Sequence, residues 1–347
     1  MSGGLECPLP LGAGEHILLA HGGGGRVMRD LIEKELLPVL RSPALEPLAD
    51  GAVLDVPPGR LAFTTDGFVV QPLFFPGGDI GTLAVNGTVN DLAMCGAEPL
   101  YLSLGLILEE GLPIADLRRV VASVAAAARA ARVQIVTGDT KVVERGKGDG
   151  LFVHTTGVGV VRAKGPLGPT EVRPGDAALV SGTIGQHGVA VMAVRDGLAF
   201  AKPIESDCAP VAEAVLALID AGIALRCLRD PTRGGVASTL NEIAAQAGVE
   251  IELEEAALPV TDAVAGACEV LGLDPLYVAC EGRFLAIVAP ADAERAVALL
   301  RSRPDGRDAA RIATVRAASA GLVTMRTRIG GVRVVDLLSG EQLPRIC

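Results

Sequence analysis

The side chains in this 347-residue chain whose type and setting could support chemistry are a handful of carboxylates, one lysine and one terminal thiol. Asp139 and Lys141 stand two apart in Thr137-Gly138-Asp139-Thr140-Lys141, after an apolar run. Alternate side chains of an extended segment share a face, so a carboxylate and an ammonium would project together past the strand end. Such a pair suits a metal-bound phosphate; it equally describes an exposed ion pair of little energetic weight. Asp66, in Thr65-Asp66-Gly67, ends a strand-like run from Arg60. Asn86, Asn90 and Asp91 interrupt the apolar spacing of Gly81 to Met94. Asn86 and Asn90 lie four apart and share a helix face. Polar groups beside a buried stripe are costly unless they bind something. Glu281 stands in Cys280-Glu281-Gly282-Arg283 before the apolar strand Phe284–Val288, and alone it reads as a solvated edge residue. Cys347 closes the chain in Pro344-Arg345-Ile346-Cys347. A terminal thiol is either an oxidation liability of ordinary pKa, about 8.5, or the reactive tip of an arm.

Two glycine loops precede helices. His21-Gly22-Gly23-Gly24-Gly25-Arg26 feeds the amphipathic run Met28 to Leu37. Consecutive glycines can turn their N–H groups toward an anion with help from the helix dipole. A flexible linker has the same composition, and the loop lacks the lysine and serine of a Walker motif. Asp230-Pro231-Thr232-Arg233-Gly234-Gly235 is a second such loop, able to hold an anion or simply to turn the chain into a helix.

The elements that must position these groups form two halves. The first combines strands at 60–65, 101–108, 133–137 and 151–161 with helices over 81–94 and 115–132. The run Gly165 to Gly175, with Pro166, Pro169 and Pro174, reads as a linker. The second half opens with a strand at 177–181. Helices follow near 209–221, 236–247, 261–271 and 291–301, with strands at 250–253, 284–288 and 311–315. Strands and helices mix without strict alternation, which predicts an α+β fold with a mixed sheet. The divisions are a glycine-rich segment at 1–43, a first domain at 44–164, a second at 165–329 and a tail at 330–347. Val332 to Leu338 still alternates, so part of the tail is expected to dock as a strand.

Composition excludes several roles. The hydrophobic fraction is 50%, but aromatic residues make up only 3% and Trp is absent, so the core must be Ala, Val and Leu. A net charge of −10 offers no basic face for nucleic acid or anionic lipid. The start lacks a secretory signal pattern, and the least charged stretch, Ala177 to Val194, is too polar to span a bilayer. Seven cysteines without a C-x-x-C pair, and four histidines without H-x-x-x-H, support neither a disulfide framework nor a Cys/His zinc site. A reduced cytoplasmic setting fits this usage.

Taken together, His21-Gly22-Gly23-Gly24-Gly25, Thr65-Asp66-Gly67, Val89-Asn90-Asp91-Leu92, Thr137-Gly138-Asp139-Thr140-Lys141, Asp230 to Gly235, Glu281-Gly282-Arg283 and Pro344 to Cys347 resemble the HypE family of carbamoyl dehydratases. That family of hydrogenase maturation factors belongs to the superfamily of aminoimidazole ribonucleotide synthetase, selenophosphate synthetase and thiamine-monophosphate kinase. The resemblance covers nearly the whole chain; the interior motifs mark the superfamily and the terminal one marks the member. It implies a two-domain aminoimidazole ribonucleotide synthetase-like fold, with the first domain's sheet pairing in a homodimer, a second domain of mixed sheet and helices, and a flexible C-terminal tail.

The same resemblance implies ATP and Mg²⁺ as cofactors. Gly22, Gly23, Gly24 and Gly25 would close over the phosphates, with Asn86, Asp91, Asp139 and Lys141 on the nucleotide and Asp66, Asp91 and Asp139 on the metal. Gly24 departs from the pattern, since many relatives have Ser there. Cys347 would receive a carbamoyl group from the carbamoyltransferase HypF, and Glu281 would act as general base, with Lys141 balancing phosphate charge, as the thiocarboxamide becomes a thiocyanate. The nitrile would pass through a HypC–HypD complex to the iron of a nickel–iron hydrogenase. Rival readings are a selenophosphate synthetase-like enzyme, which would carry Cys or Sec near a loop that here has neither, and a thiol carrier or docking protein that uses the tail without catalysis.

Overall fold

A computed structural model describes residues 14–48, 51–198, 200, 203–318, 321–337 and 345–346. After the glycine loop come α1 (Arg26–Leu31), a π-helical turn (Ile32–Leu36) and α2 (Leu37–Leu40). The first half continues with β1 (Leu61–Phe68), the hairpin β2 (Phe74–Phe75) and β3 (Gly78–Asp79), α3 (Ile80–Met94), β4 (Ala97–Glu109), α4 (Ile114–Ala130), β5 (Gln134–Val143) and β6 (Leu151–Val161). Its four-stranded sheet has the order β1-β6-β4-β5, and only β4 and β5 run parallel, joined across α4.

The second half holds β7 (Ala177–Val180), α5 (Gln186–Arg195), α6 (Ala212–Asp220), β8 (Leu225–Arg229), α7 (Gly235–Ala247), β9 (Val249–Glu254), α8 (Asp262–Leu271), β10 (Leu285–Val288), α9 (Ala293–Arg301), β11 (Ala310–Ala317), β12 (Leu322–Arg326) and β13 (Val332–Val334). Seven strands make a mixed sheet in the order β13-β12-β9-β11-β7-β10-β8. The α+β expectation holds, and the start of the tail docks as strand β13 on β12.

Two boundaries differ from the sequence expectation in a way that matters for the site. Strand β1 runs through Asp66 to Phe68, and β5 runs through Gly138 to Val143, so neither Asp66 nor the Asp139–Lys141 pair lies past a strand end. Glycine mid-strand reads as a breaker. Here Gly138 instead lets β4 come close, since a Cβ would meet the Leu104 carbonyl oxygen at 2.5 Å. Helix α5 and strands β8 and β12 lack the periodicity that would have announced them: the middle of α5 is mostly Gly, Ala and Val beside a buried His187, and the two strands are five residues each.

The element that joins the halves is α3. Asp79 caps it by accepting the Thr82 backbone N–H at 2.9 Å, and almost every residue from Ile80 to Met94 is buried. One side meets the first sheet so closely that a Cβ on Gly87 would touch the Phe68 ring at 2.8 Å. Asn90, 2% exposed, faces the second half. Its amide donates to the Ala209 and Glu281 carbonyls at 3.1 and 3.2 Å, and its oxygen accepts the Val211 N–H at 2.8 Å. Three buried bonds from one side chain pin two loops of the second half to the first. Asn90→Ala is therefore expected to lower stability by roughly 2–4 kcal/mol, because it orphans buried backbone groups as well as deleting bonds. Asn90→Asp should cost at least as much, since its carboxylate would face two carbonyl oxygens; urea midpoints of the two variants check both expectations.

Candidate functional site

Strand parity decides which of the candidate side chains can meet. In the register of the first sheet Asp66 is opposite Thr155, whereas Asp139 is opposite Gly105, which is opposite His154. Thr155 bonds to Thr88 and to the Ala84 carbonyl of α3, so Asp66 shares the helix-covered face. Asp139, Ser103, His154 and Thr156 line the other face, where with Gly24 they bound an open cavity of about 880 Å³. Asp66, Asp91 and Asp139 therefore do not form one metal cluster, as the resemblance had implied they would. Among the described residues no group of three or more His, Cys, Asp or Glu side chains is placed to hold a metal.

The helix-covered face collects acids instead. Asp66 and Asp91 converge with Asp230 and Glu281 on a cavity of about 40 Å³, closed by Phe68, Gly87, Thr232 and Arg233. That volume suits a single water or ion and not a nucleotide. Thr64 donates to Asp91 Oδ2 at 2.9 Å, and the Gly67 N–H donates to Asp66 Oδ1 at 2.8 Å. Burial pushes the Asp66 and Asp91 carboxyls above the ordinary range despite those bonds, and Asp66 adds its own repulsion to Asp91. Asp230 is pushed up to about 6, by burial first and then by Asp91 and Asp66.

Glu281 is the most perturbed of the four. It is 4% exposed, not the solvated edge residue that its local sequence suggests. Its Oε1 is buried without a hydrogen-bond partner, as are Asn86 Oδ1 and Asp207 Oδ2 nearby. Burial, then the charges of Asp230, Asp207, Asp66 and Asp91, hold its carboxyl well above the usual range. Asp207 accepts the Glu281 backbone N–H at 3.1 Å and lies 3.7 Å from the Arg283 guanidinium. The following Gly282 is obligatory: a Cβ there would sit 1.8 Å from the Asp207 carbonyl oxygen. Asn86, expected on the nucleotide, is 2% exposed, and its amide donates to Cys208 Sγ at 3.6 Å. It faces the second half with Asn90 rather than the open sheet face.

On that open face Lys141 Nζ lies 2.7 Å from Asp139 Oδ2, and both side chains are more than 60% exposed. The shared-face expectation for the pair holds. The glycine loop lies against the same strand: Gly22 packs where a Cβ would be 2.8 Å from the Val142 nitrogen, and Gly24 has φ +73°, a left-handed conformation suited to glycine. Glycine loop, lysine and open cavity thus form one group, and the buried acids with Glu281 form another.

Cys347 lies outside the described residues, but the two residues before it are placed. Ile346 is 2% exposed and bridges to Val70, so the end of the chain is docked in the body of the protein. His187, Ser206 and Asp207, which surround this docking point and the Glu281 loop, carry no sequence motif. His187 is merely a polar residue in an apolar stretch, and it meets Ile346 across 159 positions.

Comparison with known proteins matches residues 48–161 to the AIR synthase related protein N-terminal domain and 173–325 to its C-terminal domain. The chain is 55% identical to the carbamoyl dehydratase HypE of Azotobacter vinelandii over 329 residues, 95% of this chain and 96% of that protein. It is 47% identical to the Escherichia coli carbamoyl dehydratase HypE over 337 residues, 96% and 99% of the two chains. A crystal structure of the hydrogenase maturation protein HypE in complex with ATP superposes with a TM-score of 0.92 at 49% identity, covering 95% and 99%. A HypE–HypF complex matches with a TM-score of 0.78 at 45% identity, covering 89% and 99%. Among the described residues, no helix is long and apolar enough to cross a membrane.

The buried acids give a pH dependence of stability. A carboxyl whose folded pKa is raised keeps a proton that the unfolded chain releases. Its stabilisation is present at low pH and is lost as pH rises from the ordinary value of about 4.5 through the folded one. Thermal unfolding of the nucleotide-free protein should therefore move to lower temperature as pH rises from about 4.5 through about 6, the value to which Asp230 is pushed, and beyond it as the more strongly raised Glu281 ionises. Glu281→Gln should flatten that decline and raise the midpoint at the upper pH by roughly 2–5 °C, which scanning calorimetry of the two proteins would read.

Proposed function

We propose, from the premise that this chain belongs to the HypE carbamoyl dehydratase family of the AIR synthase-related superfamily, that it uses ATP to dehydrate a carbamoyl group carried on Cys347 to a thiocyanate. The observation that carries the reading is the docked chain end: Ile346 is held in the protein interior, next in sequence to the thiol. The nitrile is destined for the iron of a nickel–iron hydrogenase through HypC–HypD, with HypF as the carbamoyl donor; a HypE–HypF complex is known for a relative. The family membership and the lack of a membrane-spanning helix among the described residues favour a cytoplasmic setting.

The reaction needs two things from the protein. The amide oxygen is a poor leaving group until it attacks the γ-phosphorus of ATP, which forms an O–P bond and releases ADP. The two N–H protons must leave as the C≡N bond forms and the C–O bond to phosphate breaks. The oxygen departs in inorganic phosphate, so the sum is thiocarboxamide plus ATP to thiocyanate, ADP and phosphate. Glu281 suits the proton-accepting role: a buried carboxylate surrounded by like charge is a stronger base once ionised than a solvated one.

The nucleotide is assigned to the open face. Gly24 lines the cavity, with Gly22, Gly23 and Gly25 in the same loop; Lys141 offers an exposed ammonium for phosphate, and the cavity falls within the size range of small-ligand sites. Asp139 serves by orienting Lys141. Mg²⁺ would be held by Asp66 and Asp91 together with phosphate oxygens, a hard-oxygen set, and would there neutralise phosphate charge. Within one chain these acids and Lys141 lie on opposite faces of the sheet, so a second copy is required to complete the site. Sheet pairing in a homodimer is supported by Leu61 and Phe63, 55% and 71% exposed on the uncovered face of β1. Two nucleotide assignments do not lie on the open face: Asn86 is better read as lining the chamber beside Glu281, and Asp91 stands with the buried acids.

Protein carbamoylated on Cys347 and then given ATP and Mg²⁺ should lose the mass of one water from its C-terminal peptide. If that mass persists while ATP binds, the dehydratase reading fails, leaving a carrier or docking tail. Glu281→Gln should still accept the carbamoyl group and bind ATP, but its single-turnover dehydration should slow by roughly 10²–10⁴-fold; wild-type turnover would remove Glu281 as the base. A chain lacking Cys347 should keep its nucleotide affinity and oligomeric state, read by calorimetry and light scattering.

A further inference from the structure

The last two described residues are held by side chains that belong to none of the motifs above. The Arg345 carbonyl accepts the Gln71 N–H at 3.1 Å and the Arg195 guanidinium at 2.6 Å. The Ile346 carbonyl takes the Nε2 position of His187 at 2.6 Å. His187 is 0% exposed, in the first turn of α5, with its ring edge-on to Phe75 at 5.4 Å between centroids.

A backbone carbonyl can only accept, so Nε2 carries the hydrogen. Burial pulls the pKa of His187 down to about 4, so the ring is neutral and Nδ1 must be an acceptor. Ser206 Oγ stands 2.8 Å from Nδ1 and supplies the O–H. Ser206 Oγ in turn accepts the Cys208 backbone N–H at 3.0 Å. The hydrogen bonds therefore run in one direction, from Cys208 N–H through Ser206 and His187 to the chain end. Asp207, between Ser206 and Cys208, takes the backbone N–H of Glu281. One short loop thus braces both the candidate base and the docking point of the tail.

Burying an imidazole costs free energy, and a side chain kept only for packing would be cheaper if apolar. The Nε2–H bond goes to the Ile346 carbonyl, and Cys347 is the next residue in sequence. We propose that His187, with its tautomer fixed by Ser206, is the positioning residue that holds the carrier's terminal peptide and so sets where the thiol sits relative to Glu281. It touches neither the reacting atoms nor the nucleotide. The inference rests on the reading of Cys347 as the carrier, and its test reads thiol access independently of turnover.

The test is the rate of iodoacetamide modification of Cys347 in the full chain, taken from mass spectra as a ratio to the exposed Cys95. His187→Phe, which keeps a buried ring but removes the donor, should raise that ratio about ten-fold, the effect of losing one buried hydrogen bond. His187→Gln, which restores an N–H at a similar reach, should stay within about three-fold of wild type. Ser206→Ala, the milder variant if His187→Phe folds poorly, should raise the ratio by a smaller factor. A wild-type ratio in folded His187→Phe, or in Ser206→Ala where that must stand in, would overturn the proposal. In wild-type protein labelled with ¹⁵N-histidine, His187 should show the neutral Nε2–H pattern at about pH 6, and a charged ring there would equally overturn it. On pre-carbamoylated protein, single-turnover dehydration should slow in His187→Phe and recover in His187→Gln. If wild-type protein itself fails to dehydrate, the functional reading falls while the alkylation ratios still decide the latch.

Discussion

The structure depends most on the burial of α3 on both sides. A helix between a sheet and a second domain has no solvated face on which to place polar side chains, so each one it carries must be answered by a neighbour. Asn90 is answered three times over, by Ala209, Val211 and the backbone of Glu281. The candidate base is therefore held through its main chain by the same side chain that joins the domains. Any shift between the two halves must move Glu281 relative to Asp66 and Asp91 or break those bonds. Asn86, one turn earlier, lacks a partner for its oxygen beside the equally unpartnered Glu281 Oε1. A fully satisfied staple next to an unsatisfied chamber separates what holds the fold from what awaits a ligand.

Electrostatics sharpen that contrast. Asp66, Asp91, Asp230 and Glu281 line one small cavity of about 40 Å³, and burial raises all four. Such a cluster opposes folding as pH rises, and only a cation or protons relieve it. Ligand and stability are therefore coupled: whatever supplies positive charge to this cavity also stabilises the domain interface. The exposed Asp139–Lys141 pair carries no such burden, because water screens it. It can exchange partners at little cost, which suits the phosphate contact proposed for Lys141.

Much of the fold was legible in the sequence because the long elements carry their own periodicity. The helices over 80–94 and 114–130 and the strand over 151–161 were read within one or two residues at each end. The shared face of Asp139 and Lys141 followed from the two-residue repeat alone. The division of the acids did not, although its cause is the same repeat. It required knowing that β1 and β5 run on through Asp66 and Gly138, and in what register they face β6 and β4; a glycine inside each motif had suggested the opposite. Glu281 was misread by its local surroundings, because its burial comes from Asp207 and the helix α3 rather than from its neighbours in sequence. His187 and Ser206 had no signal at all, since a contact between residues 187 and 346 leaves no local pattern.

The docked chain end changes what a terminal carrier must do. An arm that only needed reach would be left in solvent, where ordering it costs nothing. Here Ile346 is buried and the carbonyls of Arg345 and Ile346 both have dedicated donors, so binding energy is invested in holding these two residues against the body of the protein. That binding opposes release, which the proposed carrier role would require whenever Cys347 meets another protein. The bonds that hold Arg345 and Ile346 go to their two carbonyls and, through the Arg345 guanidinium, to Asp149, so they do not depend on what a thiol at residue 347 carries. On the proposed reading the same contacts would serve the free thiol, the thiocarboxamide and the thiocyanate alike. Discrimination among them would then fall to the chamber at Glu281, where the unpartnered acceptors Glu281 Oε1 and Asn86 Oδ1 favour the form that brings N–H donors.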